Sequence, residues 1–337
     1  GGDRALVIRA LVDGGPDSVV VKAFDPARAG EGWVREAAAL RLAGERGGPV
    51  PGLLAVTAEP PLVVAADLGG GSNVADALVG TDPVAAVGAL ARWADSLAHL
   101  HRVTAGAAAA YADALAAYAG DLPVDVDTTG AMLADAAATL DRLLPRLGVT
   151  PDPAVLDVLR GASVGGVVAL SPGDTCPDNN VSTATGLVLV DFEAATVRAV
   201  AWDVAYLQVP WPSCWCAWRL PADVAGATVA RWRAAALPAL PSAAHAGFDT
   251  DLAAATTAWA FVSASWFLER ALADDPAPAD PRLLGLVPTR RAMIQHRLAV
   301  AAESPALPPL GALAEEVLTA TRRRWGVVPL DLAPAFR

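Results

Sequence analysis

Five residues of this chain have the types that phosphoryl transfer requires, in an order that could assemble it. Asp174 and Asn179 stand five positions apart in "SPGDTCPDNN", and Asp191 follows the apolar run of "GLVLVDFE". Carboxylate and amide oxygens suit Mg²⁺, which takes hard oxygen ligands in a near-octahedral array. Asp174 is best placed as the base or orienter for an acceptor hydroxyl, and Asn179 and Asp191 as metal ligands. The cation needed beside the phosphates is Lys22, inside the apolar run "SVVVKAF". It is the one lysine among 25 basic residues, the others all being arginine. An ammonium is a compact point charge and a guanidinium a planar fork, so the exception points to function. Glu36, fourteen positions on, could pair with it, since an ammonium on an inward face is costly without a partner. Each residue alone also suits a turn or a solvated helix face. The five together, in this order, carry the signal.

Such side chains need a small sheet and short loops to hold them. "ALVIRALV" (Ala5 to Val12) and "SVVVKAF" (Ser18 to Phe24) are β-branched runs joined by "DGGPD", which predicts a hairpin. "EGWVREAAALRLAGERGG" then predicts a helix of about four turns, ended by its glycines. "GLLAVTA" and "PLVVAADLGGG" predict two more strands, finishing near Asp67. The rest reads as mostly helical. Between Asp82 and Val103, Val84, Val87, Leu90, Trp93, Leu97 and Leu100 recur near a 3.6-residue period and predict one buried stripe. Further helices are expected over Gly130 to Leu147, Val224 to Leu237, Leu252 to Leu272, Leu283 to Ala302 and Leu313 to Trp325, with "DDPAPADP" (Asp274 to Pro281) a solvated connection. The fold class is therefore α+β. A strand-rich part over residues 1–67 meets a helix-rich part over 68–337 at "DLGGGSN", and a nucleotide would suit the crease between them.

Composition narrows the function. The chain has 337 residues and a formal net charge of −11, which argues against a nucleic-acid binder that works by neutralising phosphates. The charge would suit a cationic small substrate, although solubility explains it equally well. Apolar residues make up 54%, yet every apolar stretch is broken before the roughly 20 residues of a membrane span, and the N-terminal sequence shows no secretion signal. Cys176, Cys214 and Cys216 are too few and too unevenly placed for a disulfide scaffold. They fit a cytoplasmic protein, and Cys214 and Cys216 are expected to be ordinary packing cysteines. No G-x-x-x-x-G-K-[ST] motif is present, and "GGGS" at Gly69 to Ser72 does not spell a dinucleotide fingerprint. His99 and His101, two apart on a helix, face different ways and do not suit a shared metal.

These motifs resemble the aminoglycoside phosphotransferase and choline kinase superfamily, small-molecule kinases with a protein-kinase-like two-lobed fold, over nearly the whole chain. "VVVKAF" looks like the phosphate-contacting lysine strand and "REAAALRLAG" like the helix that carries its glutamate. "LVVAADLGGGS" resembles the interlobe hinge, which would place Val64, Ala65, Ala66 and Asp67 at the adenine slot. "WADSLAHLHRV" matches a helix of the larger lobe, and "SPGDTCPDNN" aligns with the pattern H-G-D-x-x-x-x-N, placing the catalytic aspartate on Asp174 and the metal-binding asparagine on Asn179. "LVLVDFEAA" carries the metal-binding aspartate at Asp191, and "AWDVAYL" places a loop-supporting aspartate at Asp203. Pro172 departs from the pattern, removing an imidazole that braces the loop, although a fixed φ could stiffen it instead. The resemblance puts the body of the glycine-rich loop before Gly1, with Gly1 and Gly2 as its end.

The resemblance implies ATP and Mg²⁺ as cofactors and a small hydroxylated acceptor: an aminoglycoside or other antibiotic, an amino sugar, or a choline-like amino alcohol. Monomer and homodimer are equally open. Asp178, Glu193, Trp211 and Trp215 are candidates for the acceptor site, acidic groups favouring an amine and indole faces a cationic head group; core filling is the alternative for each ring. The rival function is a pseudokinase that binds nucleotide or a partner without turnover.

Overall fold

The computed structural model describes residues 5–13, 18–28, 30–273 and 285–337. Strands β1 (Ala5–Leu11) and β2 (Ser18–Phe24) pair antiparallel, and helix α1 (Gly32–Glu45) follows before β3 (Leu53–Ala58) and β4 (Pro61–Ala66). The sheet order is β1-β2-β4-β3, so Lys22 lies on a central strand between Val7 and Val63. Strand alternation then turns Lys22 to the same face as Val20. The predicted succession of strand, strand, helix, strand, strand is observed. Gly1, Gly2 and most of the "DGGPD" turn lie outside the described residues.

The larger part is helical and encloses two small strand pairs. Helices α2 (Val74–Val79), α3 (Pro83–Thr104), α4 (Ala108–Ala119), α5 (Thr129–Leu143) and α6 (Pro153–Arg160) precede β5 (Val168–Ser171), β6 (Asn180–Thr183), β7 (Gly186–Leu189) and β8 (Thr196–Ala199). Then come α7 (Ala201–Val204), α8 (Ala222–Ala236), α9 (Ala246–Ala273), α10 (Arg290–Glu303) and α11 (Pro308–Trp325). Asp82 caps α3 by accepting from the Val84 and Ala85 amides, with Pro83 at the first helical position. The α3 stripe is corrected at its start. Val84 and Val87 face solvent, while Ala86 and Ala89 join Leu90, Trp93, Leu97 and Leu100 inside. Periodicity cannot separate these two faces near a helix end, where small alanines fit the tighter space. Helices α2, α4 and α6 and strands β6 and β8 were not foreseen, being short or Ala-rich without a clear period. "DDPAPADP" lies outside the described residues.

One hydrophobic cluster runs through both parts, from Phe24 and Val63 to Trp93, Trp202, Trp259 and Leu318. The sheet part is thus packed onto the helical part, with a cleft left at the seam. Among the described residues no helix is long and apolar enough to cross a membrane.

Candidate active site

Two hairpin-like pairings bring the distant motifs together. In β6–β7, Asn180 pairs with Leu189, and the Val190 amide donates to the Asn179 carbonyl at 3.1 Å, so Asn179 and Asp191 stand side by side at the hairpin base. In β5–β8, Ser171 pairs with Thr196, laying the Asp174 loop along the chain that follows Asp191. Gly173 makes that approach, with φ of 79°. A Cβ there would lie 1.9 Å from the Ala194 carbonyl oxygen, so only glycine fits.

The Lys22 ammonium sits among three carboxylates. It donates to Glu36 Oε2 at 2.8 Å and to Asp191 Oδ1, and lies 3.0 Å from Glu193 Oε2. Burial acts to lower the Lys22 pKa, but Glu36, Asp191 and Glu193 outweigh it and raise it. Burial pushes Glu36 up to about 7, opposed by Lys22 and assisted by Asp191 and Glu193. Three carboxylates facing one ammonium leave a negative excess made of hard oxygens. Together with the Asn179 amide, that donor set fits Mg²⁺, which Asn179 and Asp191 would hold. Asp191 takes a positive φ of 65°, a conformation Asp tolerates better than most residues. Arg35, buried on α1, donates to the Ala195 carbonyl at 2.9 Å and Tyr111 OH to the same oxygen at 3.1 Å. This ties the Asp191 segment to the helix that carries Glu36.

Above this group lies a cleft of about 320 Å³. Val7, Val20, Ala65 and Leu40 line its roof and Val181 and Val190 its floor, an apolar slot with Lys22, Asp191 and Asn179 at its polar end. Ala65, Ala66 and Asp67 line it, but Val64 does not, because strand alternation puts it on the face opposite Val63 and Ala65. Asp67 is spent on structure. It accepts from Arg9, from Ser18 Oγ at 2.6 Å and from the Gly69 amide at 2.9 Å, contacts that lower its pKa and pin β1 to the hinge. Gly71 is pressed against β6, where a Cβ would lie 2.1 Å from the Ser182 carbonyl oxygen.

Asp174 is held next to Asn179. Ser213 Oγ donates to Asp174 Oδ1 at 2.6 Å, and the Asn179 side-chain amide donates to the Asp174 carbonyl at 3.0 Å. Burial raises the Asp174 pKa, with hydrogen bonds from Cys176 and Ser213 opposing and the charges of Asp178 and Asp191 adding to the rise. Beneath the loop, fully buried Asp203 accepts from Ser171 Oγ at 2.7 Å and Arg198 at 2.6 Å, with His101 Nε2 at 3.0 Å. Burial works to raise the Asp203 pKa, but Arg198 and His101 outweigh it and hold it below the usual range. Arg198 and Tyr206 OH both donate to the Gly173 carbonyl. An imidazole therefore braces this loop after all, supplied by α3 instead of position 172.

A family model described as the phosphotransferase enzyme family APH matches residues 6–245. The chain belongs to that family. Solved structures share its fold. A choline/ethanolamine kinase family protein from Mesorhizobium loti is 18% identical with a TM-score of 0.53, covering 96% of this chain and 91% of its own. A Plasmodium vivax ethanolamine kinase is 10% identical with a TM-score of 0.53, over 93% and 82%. The gentamicin complex of APH(2")-IIa is 13% identical with a TM-score of 0.50, over 92% and 91%. Comparison with curated proteins returns no match.

The residues expected at an acceptor site are differently placed. Trp211 is fully buried and meets Trp93 edge-on at 5.6 Å between ring centroids, so it fills the core. Trp215 is half-buried and turns its indole N–H to Asp178 Oδ2 at 2.6 Å. Asp178 Oδ1 accepts from Cys214, so both its oxygens are engaged internally. Glu193 lies 3.0 Å from Lys22 Nζ, at the polar end of the cleft. Ser213 was missed. It lies far along the chain from Asp174 and inside a Trp-rich run, where nothing in its type marks it.

Proposed function

We propose that this chain is an ATP-dependent phosphotransferase that transfers the γ-phosphoryl group to the hydroxyl of a small molecule. The observation that carries this is that Lys22, Asn179 and Asp191 line one cleft, with the partly buried, hydrogen-bonded Asp174 tied to Asn179 beside it. Apolar side chains of the slot would take the base, and Lys22, kept charged by its carboxylates, would bind phosphate oxygens. When bound at Asn179 and Asp191, Mg²⁺ would offset phosphate charge. Asp174 would accept the hydrogen bond of the acceptor hydroxyl, orient its oxygen for in-line attack and receive its proton. Ser213 and the Gly173 carbonyl contacts would keep that carboxylate in place.

The acceptor class we favour is an amine-bearing alcohol, such as an aminoglycoside, an amino sugar or a choline-like molecule. Support comes from the choline, ethanolamine and gentamicin ligands or activities named for proteins of the same fold, and from the net charge of −11. The test is ATP consumption with Mg²⁺ over a panel of these acceptors beside Asp174→Ala. Turnover with an acceptor, lost in the variant, supports the proposal. ATP binding without consumption across the panel would favour a nucleotide-binding pseudokinase.

A further inference from the structure

Cys176, distant in sequence from Cys214 and Cys216, meets them beside the Asp174 loop. One donor atom each from Cys176, Asp178 and Cys214 lies within 4.8 Å of the others. Cys214 Sγ is 3.5 Å from Asp178 Oδ1 and 2.7 Å from Cys216 Sγ. Packing cysteines sit among apolar atoms, and a carboxylate oxygen turned toward them does not belong to that arrangement. We propose that Cys176, Asp178 and Cys214, with solvent completing the set, form a binding site for a thiophilic divalent cation of the Zn²⁺ type.

Chemistry and geometry agree. Zinc takes sulfur at about 2.3 Å and carboxylate oxygen at about 2.0–2.2 Å in tetrahedral array, which sets donor separations on the scale found here. Mg²⁺ prefers oxygen, so this sulfur-rich set is distinct from Asn179 and Asp191. The outer contacts also fit. The Trp215 indole N–H fixes Asp178 with its other oxygen turned to Cys214, the kind of second hydrogen bond that orients a metal ligand. Arg297 provides an independent sign. It is fully buried, has no ion-pair partner among the described residues, and leaves Nε and Nη1 without a hydrogen bond. Its Nη2 donates to the Pro210 and Trp211 carbonyls, and the Cys214 amide donates to that same Trp211 oxygen, so the guanidinium lies beside the site. Metal-bound thiolates and a carboxylate leave the site net negative, which supplies the charge this guanidinium otherwise lacks. Binding would release the thiol protons to solvent.

The consequence is positional. Cys176 lies two residues after Asp174, and Cys214 is next to Ser213, whose hydroxyl holds the Asp174 carboxylate. An ion here would staple the two segments and fix that hydrogen bond.

The test uses the full chain, stripped of metal by a chelator under reducing conditions and titrated with Co²⁺. One ion per chain is expected, with thiolate-to-cobalt charge-transfer absorption and tetrahedral ligand-field bands that Zn²⁺ abolishes and excess Mg²⁺ does not. Asp191→Asn should leave the spectrum unchanged, Cys214→Ser should remove it, and Trp215→Phe should weaken Co²⁺ binding about 10- to 100-fold. If the cysteine variant fails to fold, protection of Cys176 and Cys214 of the unsubstituted protein from alkylation by Zn²⁺ gives the same answer. Absence of charge-transfer bands would overturn the proposal, as would thiols alkylated equally with and without Zn²⁺. A Cys214–Cys216 disulfide, found by mass in the protein as purified and persisting with Zn²⁺ present, would overturn it in favour of a redox pair. None of these outcomes depends on phosphotransferase activity.

Discussion

Asp174 and Glu36 are both carboxylates raised by burial, yet they should respond differently to pH. In the proposed transfer Asp174 takes a proton and so must be ionised; kcat/KM should then rise with pH, with its midpoint above the ordinary carboxylate range. Removing the Ser213 hydroxyl takes away a bond that favours the charged form. Ser213→Ala should therefore move that limb to higher pH, and a pH–rate profile of the two proteins checks it. Asp174→Asn should lower kcat by about 10²–10⁴-fold with ATP binding retained, measured by turnover beside a thermal-shift titration. Glu36 affects stability. Its carboxyl holds a proton more firmly in the folded chain, about 7 against an ordinary 4.5, so the folded state binds more protons in that window. That contribution is complete below 4.5 and is lost as pH rises through about 7. Nucleotide-free protein should lose up to about 3 kcal/mol across this range. Denaturant unfolding should show the drop, and Glu36→Gln should flatten it.

At the scale of elements, the site depends on how β5–β8 and β6–β7 set two loops against each other. Asp203 is the anchor beneath them, joining α3 through His101, β8 through Arg198 and β5 through Ser171. Asp203→Ala would leave a buried guanidinium without its carboxylate and should cost about 3–5 kcal/mol, read from chemical denaturation. Pro172 does not leave the loop unbraced, because Ser171 and Gly173 are held on both sides of it. The short strands β6 and β8 escaped notice because four residues show too little alternation to stand out. The α3 stripe shows the opposite error, a sound period extended one turn too far toward solvent.

At the scale of the whole molecule, the two parts share one hydrophobic cluster and one cleft, so a ligand in the cleft bears on both. Mg²⁺ with ATP should raise thermal stability, by about 2.7 kcal/mol at a hundredfold excess over Kd, and Lys22→Met should remove most of that gain. A melting curve with and without nucleotide decides it. Residue type and spacing were enough to indicate the strand-rich start, the helical remainder, the single lysine with its glutamate, and the aspartate, asparagine and aspartate that resemble the family pattern. These were legible because chain-local chemistry writes them: alternation, caps, and a charge that an apolar strand does not otherwise carry. Ser213 against Asp174, Trp211 in the core and the meeting of Cys176 with Cys214 were decided only by tertiary structure. Each joins segments far apart in the chain, and the packing that makes them neighbours leaves no period or spacing to read.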